Sequence, residues 1–185
     1  MPDTSTALDV VRPLVRVRQI REFTSEPVSP AELEAISEVG RWSGSSRNEQ
    51  PWRFIVIRDD TTLRKIAELG LPPTRSLKTA TAAVAIVVPS DPKRAVSHAY
   101  DEGRAAERML TAASMLGLGA AIAWVIPAVR ETVGELLGLP DGWMVRTIVA
   151  IGHPTAAAKA PKAAPGTARR PRGEAVFEER WPSGA

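Results

Sequence analysis

Residues 82–88 read Ala-Ala-Val-Ala-Ile-Val-Val, with no polar interruption. The run has the length of one strand and falls far short of the roughly 18 residues a membrane helix needs. A strand that is apolar on both faces is buried on both, so other elements must cover it from either side. The flanking sequence supplies them. Arg53–Arg58 (RFIVIR), Ala120–Val125 (AAIAWV) and Val145–Ile151 (VRTIVAI) read as further strands. Ser29-Pro30-Ala31-Glu32 opens a helix, with Ser29 as cap, Pro30 at the first position and Glu32 closing a capping box. Leu33, Ile36 and Val39 follow at helical spacing. A second helix starts at Asp60 or Thr61, runs through Leu63, Ile66 and Leu69, and ends at Gly70. Pro127 opens another through Val129, Val133, Leu136 and Leu137, which Gly138 closes. A short helix is expected over Val10–Val17, with Pro13 near its first turn.

The longest helix is expected from about Ala95 to Leu116. Its inward positions read as small: Ala99, Gly103, Ala106 and Ala113, with Met109 and Leu110 between them. Small residues allow close approach of another helix. The pattern leaves open whether that neighbour is in a second subunit or in the same core. Helices and strands alternate with uneven connections, so the fold class is α+β, a mixed central sheet flanked by helices. Residues 1–8 read as a flexible N-terminus, 9–154 as one domain, and 155–185 as an extended C-terminal arm rich in Ala, Pro, Lys and Arg. Ala175–Trp181 is expected to add a last edge strand or a short helix.

Apolar residues at 44% and charged residues at 24% describe an ordinary globular chain. The sequence contains no cysteine, which excludes disulfides and thiolate chemistry and fits a reducing cytoplasm. Met1–Val10 lacks the basic head and apolar stretch of a signal peptide. The two histidines, His98 and His153, stand in separate segments and no HExxH is present, so no metal site is expected. GxGxxG, GxxxxGK[ST] and GxSxG are also absent, which argues against Rossmann, P-loop and serine-hydrolase chemistry. The net charge is only +3, but its positive members are unevenly placed. Arg12, Arg16, Arg18 and Arg21 cluster near the start, and Lys162, Arg169, Arg170 and Arg172 near the end. Two such clusters can converge on one anion; the alternatives are a solvated surface or a weak nucleic-acid footprint.

Three segments stand out in order. The first is Arg16-Val17-Arg18-Gln19-Ile20-Arg21-Glu22-Phe23, followed by Pro27-Val28. The second is Ser43-Gly44-Ser45-Ser46-Arg47-Asn48-Glu49-Gln50-Pro51-Trp52-Arg53-Phe54. The third begins with Gly117-Leu118-Gly119 and continues through Trp124, Leu137-Gly138-Leu139-Pro140 and Ile151-Gly152-His153-Pro154. Together they resemble the FMN-dependent nitroreductase family, from about Arg16 to Val176. Val17 stands where that family has a basic residue, Gln19 where it has a serine, Gly44 where it has a proline and His153 where it has a tyrosine.

The resemblance implies an intertwined homodimer with two interfacial FMN sites, each lined by both chains, and a C-terminal arm reaching toward the partner. It implies phosphate-side roles for Arg18 and Arg21, with Arg16 as helper and Arg169 and Arg170 joining from the far end; guanidinium forks suit a dianionic phosphate. Gln19 matches a flavin-contacting position. Ser45, Ser46 and Asn48 match the loop that meets the flavin from the other subunit, with short side chains and free amides suited to hydrogen bonding. A backbone N–H from the segment around Ile122, Ala123 and Trp124 is expected near flavin N5.

The implied activity is NAD(P)H oxidation, with the electrons passing to a small electron-poor acceptor such as a nitroaromatic or quinone. No catalytic side chain is required. A deazaflavin donor, reductive dehalogenation or O2 chemistry on a similar fold are alternatives, as is a non-catalytic flavin- or nucleic-acid-binding protein. The chain lacks the long insertions that form a lid in larger relatives, so the pocket is expected to be open. Trp42, Trp52 and Trp124 read as packing residues, Arg53 as a surface residue, Glu49 as a partner for Arg47, and His98 as structural or exposed.

Overall fold

The computed structural model describes residues 4–161, 163–164 and 167–182. Six α-helices and four strands are found among them: α1 (Thr4–Arg16), α2 (Pro30–Arg41), β1 (Arg53–Ile57), α3 (Asp60–Leu69), β2 (Ala82–Pro89), α4 (Ala95–Met115), β3 (Gly119–Trp124), α5 (Arg130–Leu136), β4 (Trp143–Gly152) and α6 (Ala156–Lys159). No helix of the described residues is long and apolar enough to cross a membrane.

The apolar run behaves as its composition requires. Ala82–Val88 is buried throughout, and its side chains alternate between two cores. Ala83, Ala85 and Val87 join Leu63, Ile66, Leu77, Val133 and Ile148 beneath α3 and α5. Val84, Ile86 and Val88 join Leu33, Ile36, Ala106, Met109 and Leu110 beneath α2 and α4. Burying each such Leu or Ile contributes about 1.5–3 kcal/mol. Two helix starts are those the sequence signals: Ser29 and Glu32 form a complete capping box on α2, and α3 starts at Asp60, capped by Asp59 through the Thr62 amide; the helix expected from Pro127 opens as a 3-10 turn over Pro127–Val129, with α5 starting at Arg130.

The sheet order is β1-β2-β4-β3. The four strands pair antiparallel throughout, where a mixed sheet was expected. Helix–strand alternation suggested parallel neighbours, because a single helical crossover returns the chain to the same end of a sheet. Here α3 is followed by residues 70–81, which carry the chain back again, so β2 runs opposite to β1. The N-terminal helix begins at Thr4, within the stretch expected to be flexible. Leu8, Val11 and Val15 already keep helical spacing, and Pro13 is held inside the helix, not in its first turn. Residues 1–3 lie outside the described residues.

Two further expectations are corrected. Ala99 and Gly103 are exposed, and the inward face of α4 consists instead of His98, Asp101, Glu102, Ala105, Ala106, Met109, Leu110, Ala112 and Ala113. At the C-terminus neither a strand nor an α-helix forms over Ala175–Trp181; the one turn of 3-10 helix lies at Arg172–Glu174. Val176 and Trp181 are exposed there, with Trp181 meeting half-buried Phe177 edge-on at 5.0 Å between ring centroids.

Candidate functional site: a basic cleft along the free edge of the sheet

β3 is an edge strand whose outer side is met by Gln19 and Ile20, while Phe23 and Thr24 meet the stretch just after β4. Ala120 O accepts the Ile20 N–H at 2.8 Å, His153 O accepts the Thr24 N–H at 2.8 Å, and Phe23 bridges to Pro154. The seating is close because Gly119 and Gly152 have no side chain. An added Cβ would stand 2.8 Å from Ile20 Cβ at Gly119 and 2.9 Å from Phe23 Cβ at Gly152. Buried Ile20 and Phe23 thus fix the segment that carries Arg18, Gln19 and Arg21.

Beside this segment lies a cleft of about 750 Å³. Arg16, Arg18, Gln19 and Arg21 line it from the N-terminal side, and Lys159 and Arg169 from the C-terminal side. Glu22 is the acidic residue of the lining. Of the C-terminal cluster Arg169 thus meets Arg16, Arg18 and Arg21 of the N-terminal one in space, while Arg12 and Arg172 do not line the cleft. Lys159, three residues before Lys162, is a further cation that sequence reasoning missed. Arg170 does not line the cleft; it is 81% exposed and lies 4.0 Å from Glu174. Lys162 lies outside the described residues.

Arg18 has a second task. Its guanidinium donates to Ala160 O at 2.9 Å, to Ala158 O at 3.0 Å and to Lys159 O. These are unpaired carbonyls at the end of α6, so Arg18 caps that helix and ties the C-terminal segment to the N-terminal one. Gln19 spans the cleft and the sheet edge: its Oε1 accepts the Ile122 N–H at 3.3 Å and an Arg21 N–H at 2.9 Å. The Val125 N–H points inward, to Arg146 O at 2.9 Å. Amides alternate in direction along a strand, so the Trp124 N–H faces the same outer edge as that of Ile122. Ala123 is buried, whereas Trp124 is 45% exposed.

Ser45, Ser46 and Asn48 are not brought to this cleft within one protomer. They form a loop against the start of α4, beside an open depression lined by Gly44, Ala99, Tyr100, Gly103 and Arg104. Arg47, Asn48 and Gln50 adopt φ of 53°, 55° and 49°, a left-handed conformation that costs a non-glycine residue about 1–3 kcal/mol. Asparagine tolerates it best. The loop is pinned at several points. The Ser46 N–H, expected to be free, donates to both Asp101 carboxylate oxygens at 3.1 and 3.2 Å. Ser45 Oγ accepts the Gln50 N–H at 2.9 Å, and Arg53 donates to Gln50 O at 3.3 Å.

Glu49 pairs with Arg94, not with Arg47, and that guanidinium holds its carboxyl below the usual range. Asp101 is buried and 55 residues away in sequence, so no local pattern marks it as the loop's anchor. His98 is buried, with Nδ1 3.2 Å from Pro89 O. Trp52 is buried against Phe54, whereas Trp42 is 67% exposed. Arg53 is exposed and lies over the Trp143 ring.

The cleft suits a ligand with an anionic end. Five cations face it around a largely apolar lining of Ile20, Ala158, Pro161, Ala163 and Ala168; Ile122, Ala123 and Trp124 do not line it, and Gln19 is its link to the outward Ile122 amide of β3. A model described as the nitroreductase family matches residues 15–72 and 71–153. A candidate NADH dehydrogenase/NAD(P)H nitroreductase of Archaeoglobus fulgidus is 35% identical over 144 residues, covering 74% of this chain and 80% of that one. An FMN reductase [NAD(P)H] of Bacillus subtilis is 31% identical over 164 residues, covering 79% of this chain and 66% of its own. The crystal structure of a candidate nitroreductase of Desulfovibrio desulfuricans in complex with FMN matches with a TM-score of 0.76 at 29% identity, covering 94% of this chain and 98% of the other.

Proposed function

Because this chain belongs to the nitroreductase family, we propose that it is an FMN-dependent oxidoreductase that draws electrons from NAD(P)H and delivers them to a small electron-poor acceptor, such as a nitroaromatic or a quinone. The observation that carries this reading is the convergence of basic residues from both chain ends on one cleft beside the outer edge of β3. FMN, when bound, supplies the two-electron hydride chemistry, so the protein needs no acid–base pair of its own.

The donor set fits that cofactor. Arg16, Arg21, Lys159 and Arg169 are suited to its phosphate, and Arg18 keeps the two halves of the cleft together while lining it. Gln19 and the outward amide of Trp124 are suited to the polar rim of the ring system. A hydrogen-bond donor there and a positive surround favour the electron-rich form.

A second copy completes the site in this reading. The exposed strip Val96, Ala99, Tyr100 and Gly103 of α4 is the face a twin helix would cover. The pinned 45–50 loop beside that strip would then present Ser45, Ser46 and Asn48 to the partner's cleft. In this reading the C-terminal arm over 155–185 would reach the partner, and its residues Lys159 and Arg169 border the cleft. Lack of cysteine fits a cytoplasmic setting.

The test is the absorbance of the purified protein before and after anaerobic NADPH. Flavin bands that bleach on reduction are expected. A colourless protein that takes up no added FMN would overturn the reading.

A further inference from the structure

Outside the cleft, buried Glu102 lies beside two half-buried arginines, Arg146 and Arg130. Glu102, on the inward face of α4, is 1% exposed. Its Oε2 accepts from Arg146 Nε at 2.6 Å and from the same guanidinium's terminal nitrogen, while its buried Oε1 has no hydrogen-bond partner. Arg146 stands where the β2–β4 register slips: Ile86 faces Thr147 and Val87 faces Val145, leaving Arg146 unopposed. Such a bulge re-aims a side chain, here toward α4. Arg130, at the start of α5, donates Nε to Val125 O at 3.0 Å, and Arg146 O accepts the Val125 N–H at 2.9 Å. Val125 is thus held at both its carbonyl and its amide, and it directly follows Trp124, whose N–H faces the outer edge of β3. Burial pushes the Glu102 carboxyl up and the Arg130 guanidinium down, as expected of charges withdrawn from water. An ion pair this deep is a poor source of stability, because removing two charges from water offsets their attraction.

We propose that Glu102, Arg146 and Arg130 form a positioning cluster for the flavin-facing end of β3: the Arg146 main-chain oxygen and the Arg130 guanidinium hold Val125 by its amide and its carbonyl, and the three charges together leave one net positive charge behind it. This rests on the FMN reading above. The two arginines are half-buried, and partly buried charge is screened less than exposed charge, so it favours the electron-rich form of a flavin lying along that edge.

The test is the midpoint potential of bound FMN at pH 8 in Glu102→Gln, Arg146→Gln and the double variant, with a thermal melt of each. Glu102→Gln shifts the potential upward, Arg146→Gln shifts it downward, and the double variant returns close to the parent value. A purely structural pair would move the melting temperature but not produce opposite signs. If Arg146→Gln does not fold, the Glu102→Gln and double variants still differ by one positive charge and decide the matter. Equal potentials in these two overturn the proposal. Failure of the unaltered protein to bind FMN is seen separately, before any variant is made, and overturns the flavin reading together with this inference.

Discussion

Gly152 shows how a single missing side chain governs the site. Phe23 fills the space its Cβ would occupy, and Phe23 in turn seats the strand-like segment bearing Gln19 and Arg21. Gly152→Ala therefore overpacks the contact and is expected to cost about 1–3 kcal/mol. Urea unfolding followed by tryptophan fluorescence measures that loss. Gly-His-Pro was legible in the sequence as one of the ordered motifs, but what the glycine accommodates was not, because Phe23 lies far away along the chain. The arginines divide the same way. Their two clusters were plain, and so was their capacity to share an anion. That Arg18 caps α6, and that Arg170 turns to Glu174, depends on where α6 ends, which an Ala-rich stretch does not signal.

At the scale of elements, the 45–50 loop is the part most dependent on distant support. Its three left-handed residues are held by Asp101, by Arg53 and by the Glu49–Arg94 pair. Glu49 has a lowered carboxyl pKa in the folded protein, with Arg94 as the first cause. A depressed pKa contributes stability above the unfolded value, and that contribution disappears as pH falls through the folded value. Hydrogen exchange of the loop amides, measured against Glu49→Gln, is expected to show slower exchange in the parent near neutral pH. The two should converge as pH drops below about 4.3, the ordinary Glu value. The pair is partly exposed, so the effect is modest. The Ser-rich turn was readable from its composition, but its anchor on α4 was not. The strands and main helices were readable from periodicity and caps. Strand direction was not, because a helix between two strands does not say how many times the chain crosses before pairing.

For the whole molecule, the protomer leaves much apolar surface uncovered: Leu8, Val10 and Val15 on α1, Val96 and Tyr100 on α4, and Trp181 near the end. Of the small residues of α4 singled out in the sequence, Ala106 and Ala113 face the protomer core, whereas Ala99 and Gly103 are exposed. Periodicity gives the faces of a helix, yet it does not say which face meets its own core and which meets another chain. Gly103 separates these roles, since an added Cβ meets no atom within 4 Å in the protomer. Gly103→Glu is expected to keep the circular dichroism of the parent, sediment as a monomer and lose FMN; a variant that sediments with the parent and keeps its flavin would refute the dimer-completed site.

The most direct check compares FMN and riboflavin binding to the apoprotein by calorimetry, since the two ligands differ only in the phosphate. Charge-assisted hydrogen bonds contribute about 1.5–3 kcal/mol each, so FMN is expected to bind about ten- to a hundredfold more tightly per phosphate contact. The Arg21→Ala/Arg169→Ala variant is expected to erase most of that advantage. Equal affinity for the two ligands, or an FMN preference untouched by removing both arginines, would contradict the claim that the two ends of the chain meet on one phosphate.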